Sequence, residues 1–143
     1  RLNNSMKKEF CSWGMFEKGV ERLLYEIKET PDYIIAIPRG GLVLGVRLSH
    51  EFDKPLAIFG TDSINKHNQE SLALLVDDIS DTGKAFLAAK DKLYNRNFKT
   101  VALYIKPKTL YVPDYYVYST ESWLVFPWER KKEDSVKASW TFG

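Results

Sequence analysis

Apolar positions along the chain fall into alternating helical and extended patterns. Phe16, Val20, Leu23, Leu24 and Ile27 are spaced i, i+4, i+7, i+8 and i+11, one stripe of a 3.6-residue period. Pro31 stops that helix, since proline lacks an amide donor and restricts the residue before it. Tyr33-Ile34-Ile35-Ala36-Ile37 is too short for a helix and rich in β-branched residues, so it reads as a buried strand. Pro38-Arg39-Gly40-Gly41 breaks it, and Leu42 to Phe52 resumes helical spacing through Leu44 and Leu48. Leu56 to Thr61 reads as a second strand, the polar stretch Asp62 to Glu70 as a flexible loop, and Leu72 to Val76 as a fully apolar third strand. Asp77 to Thr82 then leads into a helix from about Gly83 to Asn95, packing Ala85, Ala89 and Leu93 on one face with Phe86 beside them. Thr100 to Ile105 is a fourth strand, and Tyr115 to Tyr118 and Trp123 to Phe126 are short β segments. Wholly apolar strands between helices need cover on both sheet faces. The pattern predicts an α/β fold with a mostly parallel, twisted sheet flanked by helices. Ligands in such sheets bind at the carboxyl ends of the strands.

Composition narrows the function. At 143 residues the chain has the length of one domain, residues 1–143, on the usual scale of about 150 residues. Lys plus Arg is 21 and Asp plus Glu 19, a net charge of 21 − 19 = +2. That balance argues against nucleic acid or a membrane surface as a partner. The lone Cys11, with only His50 and His67, excludes an intrachain disulfide and Cys/His metal frameworks. A reducing, cytoplasmic location is the expectation, and neither histidine is given a role. No apolar run approaches the roughly 18 residues of a membrane span. The chain opens on Arg1, so its start reads as trimmed, with no secretory signal in view. Glu129 to Asp134 reads as a solvated charge run.

The chemistry-bearing segment is Leu74-Leu75-Val76-Asp77-Asp78-Ile79-Ser80-Asp81-Thr82-Gly83-Lys84. Charge at the end of a buried strand is costly unless something pairs with it. Side chains alternate along a strand, so Asp77 and Asp78 are expected to divide their work over a polyhydroxyl ligand such as ribose, directly or through Mg²⁺. The amides of Thr82, Gly83, Lys84 and Ala85 are expected to be open donors at a helix start, an anion site. The simpler alternative is that Asp81 only caps the helix. A Walker loop is excluded because Asp78 and Ala85 stand where it needs glycine and a hydroxyl, and Gly40, Gly41 and Gly45 lack dinucleotide-fingerprint spacing. The second loop, Pro38-Arg39-Gly40-Gly41, offers glycine amides and the Arg39 guanidinium to an anion.

The acidic segment resembles the phosphoribosyl diphosphate (PRPP) signature of type I phosphoribosyltransferases. The resemblance implies that Asp77 and Asp78 hold the ribose hydroxyls and Mg²⁺, with Asp78 the metal ligand. It implies that Asp81, Thr82, Gly83, Lys84 and Ala85 cradle the 5′-phosphate, with Asp81 also handling a proton on the base. Lys84-Ala85 departs from the family's usual Gly-Thr, exchanging a hydroxyl for a cation. Arg39 and Gly40 match the diphosphate loop, whose Arg-Gly-type peptide turns an amide toward the leaving group. Lys106-Pro107 and Ser122-Trp123-Leu124-Val125-Phe126-Pro127-Trp128-Glu129 are similar to the purine-recognising end of bacterial xanthine-guanine phosphoribosyltransferases, as is the early Ser12-Trp13. Lys106 would then contact a 6-oxo group, Trp123 would stack on the purine and the Leu124 backbone would read the ring edge. A donor-binding core over about 31–106 and a base-recognition hood over about 106–129 follow.

Transfer of the phosphoribosyl group from PRPP to a 6-oxopurine, in purine salvage, is the activity this implies. Catalysis would rest on Asp81, Arg39 and loop amides. The family is commonly dimeric or tetrameric, and Trp140 and Phe142 offer an aromatic contact. The stretch Asp62 to Glu70 is short for the family's mobile lid, and Lys66 and His67 are its candidates to approach diphosphate. Two rivals remain. A non-catalytic PRPP-binding regulator would suit the short lid and Lys84-Ala85, and a pyrimidine or orotate enzyme is disfavoured by Lys106 with Trp123.

Overall fold

A computed structural model describes residues 7–132. A five-stranded, wholly parallel sheet runs in the order β3-β2-β4-β5-β6. Its strands are β2 (Tyr33–Ala36), β3 (Leu56–Ile58), β4 (Leu72–Ser80), β5 (Asn97–Ile105) and β6 (Tyr118–Ser119). The helices are α1 (Trp13–Glu26), α2 (Gly41–Phe52) and α3 (Lys84–Lys92). A separate parallel pair joins β1 (Lys8–Phe10) to β7 (Trp123–Val125). No helix among the described residues is long and apolar enough to cross a membrane.

Strand alternation builds two cores. Ile34, Leu74, Val76, Val101 and Leu103 face α1 and α2, meeting Phe16, Val20, Leu23, Leu44 and Leu48. Tyr33, Ile35, Ala73, Leu75 and Ala102 face α3, meeting Phe86, Ala89 and Leu93. The predicted mostly parallel α/β sheet is therefore the observed one, with β2 and the Ala73–Val76 stretch of β4 apolar on both faces because both are covered. Ser12 starts α1 by accepting from the Met15 amide at 3.0 Å, a cap for an otherwise unpaired donor.

The structure corrects several expectations. Helix α1 ends at Glu26, with Ile27 already extended, well before Pro31. On α3 Ala85 is exposed while Phe86 is buried, because the larger ring takes the inward phase. Strand β4 does not stop at Val76 but continues through both acids to Ser80, held by β5. Tyr115 forms only an isolated bridge to Val101, and the paired strand β6 starts at Tyr118. Trp140 and Phe142 lie outside the described residues.

The expected flexible loop is folded. Asp62–Lys66 form a 3-10 turn with Ile64 buried in the α3-side core. His67 then stacks on Tyr33, ring centroids 3.9 Å apart and planes 7° apart, and its carbonyl accepts from Arg96 at 3.0 Å. Tyr33 opens β2, so His67 sits at the amino edge of the sheet. It faces away from a ligand at the carboxyl edge, and the His67 part of that expectation falls.

Burial, and then the charges of Arg96 and Lys66, push the His67 imidazole below its ordinary value. The unfolded chain therefore takes up this proton first as pH falls, so stability drops below about pH 6.5. Denaturant titrations at a series of pH values should show that decline, and His67→Gln should flatten it. An unchanged slope in the variant would mean that other groups cause it.

Candidate functional site

The chain leaves the carboxyl edge of β2 toward one face and that of β4 toward the other, since α2 packs on the α1 side and α3 opposite. The crevice between these strand ends is where the winding reverses, the place such sheets reserve for ligands. Pairing of β2 with β4 ends at Ala36 opposite Val76, with one more bond from the Ile37 amide to the Val76 carbonyl at 2.9 Å. From there β4 carries Asp77 and Asp78 onward with β5 on one side and the Gly40–Gly41 turn on the other.

Glycine is needed at that turn for space. A Cβ on Gly40 would lie 2.5 Å from Asp78 Oδ2, and one on Gly41 would collide with the Val76 carbonyl oxygen. The loop predicted for diphosphate and the acid pair predicted for ribose are thus in direct contact. The peptide joining Pro38 to Arg39 is cis, one bond before the Arg39–Gly40 peptide singled out in the sequence. Arg39 is exposed, and the Arg39 and Gly40 amides have no partner among the described residues.

Asp77 and Asp78 are each 7% exposed. Burial first, then the Asp78 charge and a hydrogen bond between the carboxyls, push Asp77 well above the usual carboxylate range. Asp78 is also raised, chiefly by burial and further by the charge of Glu129. Strand alternation therefore does not separate the two acids as expected. Asp77 Oδ1 turns back to accept from the Asp78 amide at 2.8 Å, which brings the carboxyls together. Such a pair fits Mg²⁺: hard oxygen donors in a site lacking enough solvent to ionise them easily. Among the described residues no group of three or more His, Cys, Asp or Glu converges on one point. A metal here would share substrate oxygens and water, as Mg²⁺ usually does.

Past Ser80 the chain turns tightly into α3. Gly83 has φ +93 and precedes α3 without any side-chain cap, so Asp81, which is exposed, does not cap the helix. The amides of Thr82, Gly83 and Ala85 have no partner among the described residues. That of Lys84 does, since Thr82 Oγ1 accepts it at 3.2 Å. The set of open donors is therefore smaller than the sequence implied, by a local hydroxyl that competes for one amide.

The aromatic segment reaches the same edge. Lys106 follows β5, its amide bonded to the Ser80 carbonyl at 3.1 Å. The chain returns through Thr120, whose amide bonds to the Ile105 carbonyl at 3.1 Å, and enters β7 at Trp123. Pairing with β1 uses the Trp123 amide, to the Lys7 carbonyl at 2.8 Å, and the Val125 carbonyl, from the Cys11 amide at 2.9 Å. Backbone groups of alternate residues in a ladder point to opposite sides. The Leu124 N–H and C=O therefore face the unpaired edge of β7, while its side chain is buried in the α1-side core. Trp123 is half-buried. Sequence reasoning missed two participants. β1, whose Lys-Glu-Phe shows no periodicity, pairs with β7, and Glu129, exposed as expected for the charge run, also lies close enough for its charge to raise Asp78.

Comparison with known proteins agrees with this geometry. Residues 7–133 match the family model described as phosphoribosyl transferase domain. A xanthine-guanine phosphoribosyltransferase of Desulfotalea psychrophila is 26% identical over 140 residues, covering 85% of this chain and 86% of the relative. The crystal structure of a purine phosphoribosyltransferase from Pyrococcus horikoshii Ot3 is 37% identical, with TM-score 0.75, covering 88% of this chain and 96% of that one. A Helicobacter pylori xanthine-guanine-hypoxanthine phosphoribosyltransferase, 23% identical with TM-score 0.74, covers 92% of this chain and 99% of that one and shares the fold. With the family model spanning the sheet, both site loops and the hood, the chain belongs to the phosphoribosyltransferase family, enzymes that transfer a phosphoribosyl group.

Proposed function

We propose that this enzyme transfers the 5-phosphoribosyl group of PRPP to a 6-oxopurine (xanthine, guanine or hypoxanthine) in purine salvage, releasing diphosphate. The observation that carries the reading is the buried acid pair at the winding reversal, in contact with Gly40 and followed at once by open amides. The names of the relatives support the purine, as does the free backbone of Leu124 beside a tryptophan.

In this reading one domain holds the donor on residues 31–106 and the base on 106–129. Asp77 and Asp78 bind the ribose hydroxyls and would hold Mg²⁺, Asp78 as its ligand. When bound there, Mg²⁺ supplies charge neutralisation for the departing diphosphate. The Thr82, Gly83 and Ala85 amides hold the 5′-phosphate, with the Asp81 and Lys84 side chains at the rim. Arg39 and the Gly40 amide receive the diphosphate, which leaves with the electron pair of the broken bond to C1′. A purine ring nitrogen forms the new bond to C1′, and its proton passes to Asp81. Lys106 donates to the 6-oxo oxygen, Trp123 stacks on the ring and Leu124 reads its edge. The same reading has the enzyme work in the cytoplasm as a dimer or tetramer.

One observation favours a second reading. The segment after β3 folds against the amino edge rather than over the crevice, which would suit a PRPP-binding regulator that does not catalyse. Incubation with Mg²⁺, PRPP and single nucleobases separates the two. Diphosphate release with a 6-oxopurine supports transfer; PRPP binding without release supports the regulator; release only with orotate or another pyrimidine overturns the purine assignment.

Asp81→Asn should lower kcat by about 10²–10⁴-fold, the range of a lost acid–base group, while PRPP affinity changes much less. Equal turnover would remove Asp81 from the mechanism. Gly40→Ala should raise KM for PRPP by roughly tenfold or more, as one lost charged contact does, because the new methyl displaces the Asp78 carboxylate. Steady-state kinetics on folded variants checks both.

A further inference from the structure

The turn between Lys106 and Tyr111 is tied to the phosphate loop by more contacts than a connector requires. Ser80 Oγ, in a residue 1% exposed, donates to the Tyr111 carbonyl at 2.6 Å and lies 2.9 Å from Thr109 Oγ1. Thr109 Oγ1 also lies 3.2 Å from the Tyr111 carbonyl and accepts from the Tyr111 amide at 3.3 Å. Each hydroxyl has one hydrogen. With that of Ser80 given to Tyr111, the Thr109 hydrogen closes onto Ser80 Oγ or the same carbonyl. The Thr109 amide bonds to the Lys106 carbonyl at 3.0 Å, closing the turn that begins at Lys106.

The next residue reaches the phosphate loop. The Leu110 amide donates to the Thr82 carbonyl at 2.9 Å. N–H and C=O of a trans peptide point in opposite directions. Holding the Thr82 carbonyl against the turn therefore aims the Gly83 N–H away from the turn. A flipped peptide would present a carbonyl oxygen there and repel an anion. Contact is close enough that a Cβ on Gly83 would sit 2.6 Å from the Tyr111 nitrogen and 3.0 Å from Thr109 Oγ1.

We propose that Thr109 is a positioning residue: its hydroxyl shapes the turn whose Leu110 N–H fixes the Thr82–Gly83 peptide, aiming the Gly83 amide at the sugar's 5′-phosphate. The same turn starts at Lys106, so the phosphate loop and the base-contacting strand end are set by one element. This rests on the functional reading above. Because coupling of binding free energies is reciprocal, a ligand that orders the turn from one end favours binding at the other.

The test is equilibrium binding of ribose 5-phosphate, without any base, to wild type, Thr109→Val and Thr109→Ser, each first shown to be folded by circular dichroism. Thr109→Val should bind about tenfold more weakly, as one misaimed donor to a charged group predicts, and Thr109→Ser should return to within about twofold of wild type. KM for PRPP should rise in Thr109→Val more than kcat falls. If Thr109→Val does not fold, Ser80→Ala removes the same clasp from its other side and is judged by the same binding criterion. Wild-type affinity in the folded hydroxyl-free variant overturns the positioning role and leaves the functional reading intact. Failure of the wild type itself to bind ribose 5-phosphate overturns the functional reading first.

Discussion

Everything at the carboxyl edge depends on β4 carrying two carboxylates past the end of its neighbour β2 while remaining paired to β5. Along Asp77 to Ser80 the strand pairs with β5 on one side, through Asp77, Ile79 and Ser80. On the other it has only the Gly40–Gly41 turn, packed too closely for any side chain. Burying two acids without a cation costs several kcal/mol per ion if both stay charged, and the raised proton affinity of the pair is how that cost appears. The continuous cores on both faces hold the strand in place regardless. The site is thus an unfavourable arrangement imposed by a stable sheet, and in the proposed reading a cation with sugar oxygens relieves it.

Much of this was legible in the sequence. Tyr33 to Ile37 and Leu72 to Val76 declare buried parallel strands by their unbroken apolarity, and the Gly-rich and acidic breaks after them mark the two site loops. What the sequence hid was settled by tertiary pairing. Asp77-Asp78 has poor strand propensity, yet β5 forces the extension, a common override of local preference. Lys8–Phe10 has no pattern of its own and becomes a strand only because β7 lies beside it. Asp62 to Glu70 is polar on paper, but Ile64 finds the core and His67 finds Tyr33, so composition misread a folded segment as a loop. The Ser80–Thr109 contact joins residues 29 apart in sequence, and no local signal announces such a pair.

The hood shows how the two ends of the chain become one surface. Trp13 packs on Phe16 and Trp128, with ring centroids 5.8 and 5.9 Å apart, and Phe126 stacks on Trp128 at 4.8 Å. These aromatic contacts fix the amino end of α1 against the last described turn, and β1 follows from that placement. Pairing β7 on one side only has a chemical consequence. It leaves the polar backbone of Leu124 without a hydrogen-bond partner among the described residues while the Leu124 side chain anchors the strand in the core. Unpaired backbone next to an aromatic plane suits a flat heterocycle with donors and acceptors on its rim.

Electrostatics then joins the hood to the phosphate loop. Glu129 accepts from the Phe126 amide at 3.0 Å, which fixes its carboxylate at the end of the hood, where its charge reaches Asp78. These acids repel, and burial together with that repulsion raises the proton affinity of Asp78. Glu129 lies far from Asp77 and Asp78 in sequence, yet the fold brings its charge to the same edge. In the proposed reading, charge complementarity at that edge, more than any single side chain, is what favours a polyanionic sugar that arrives with its own cation.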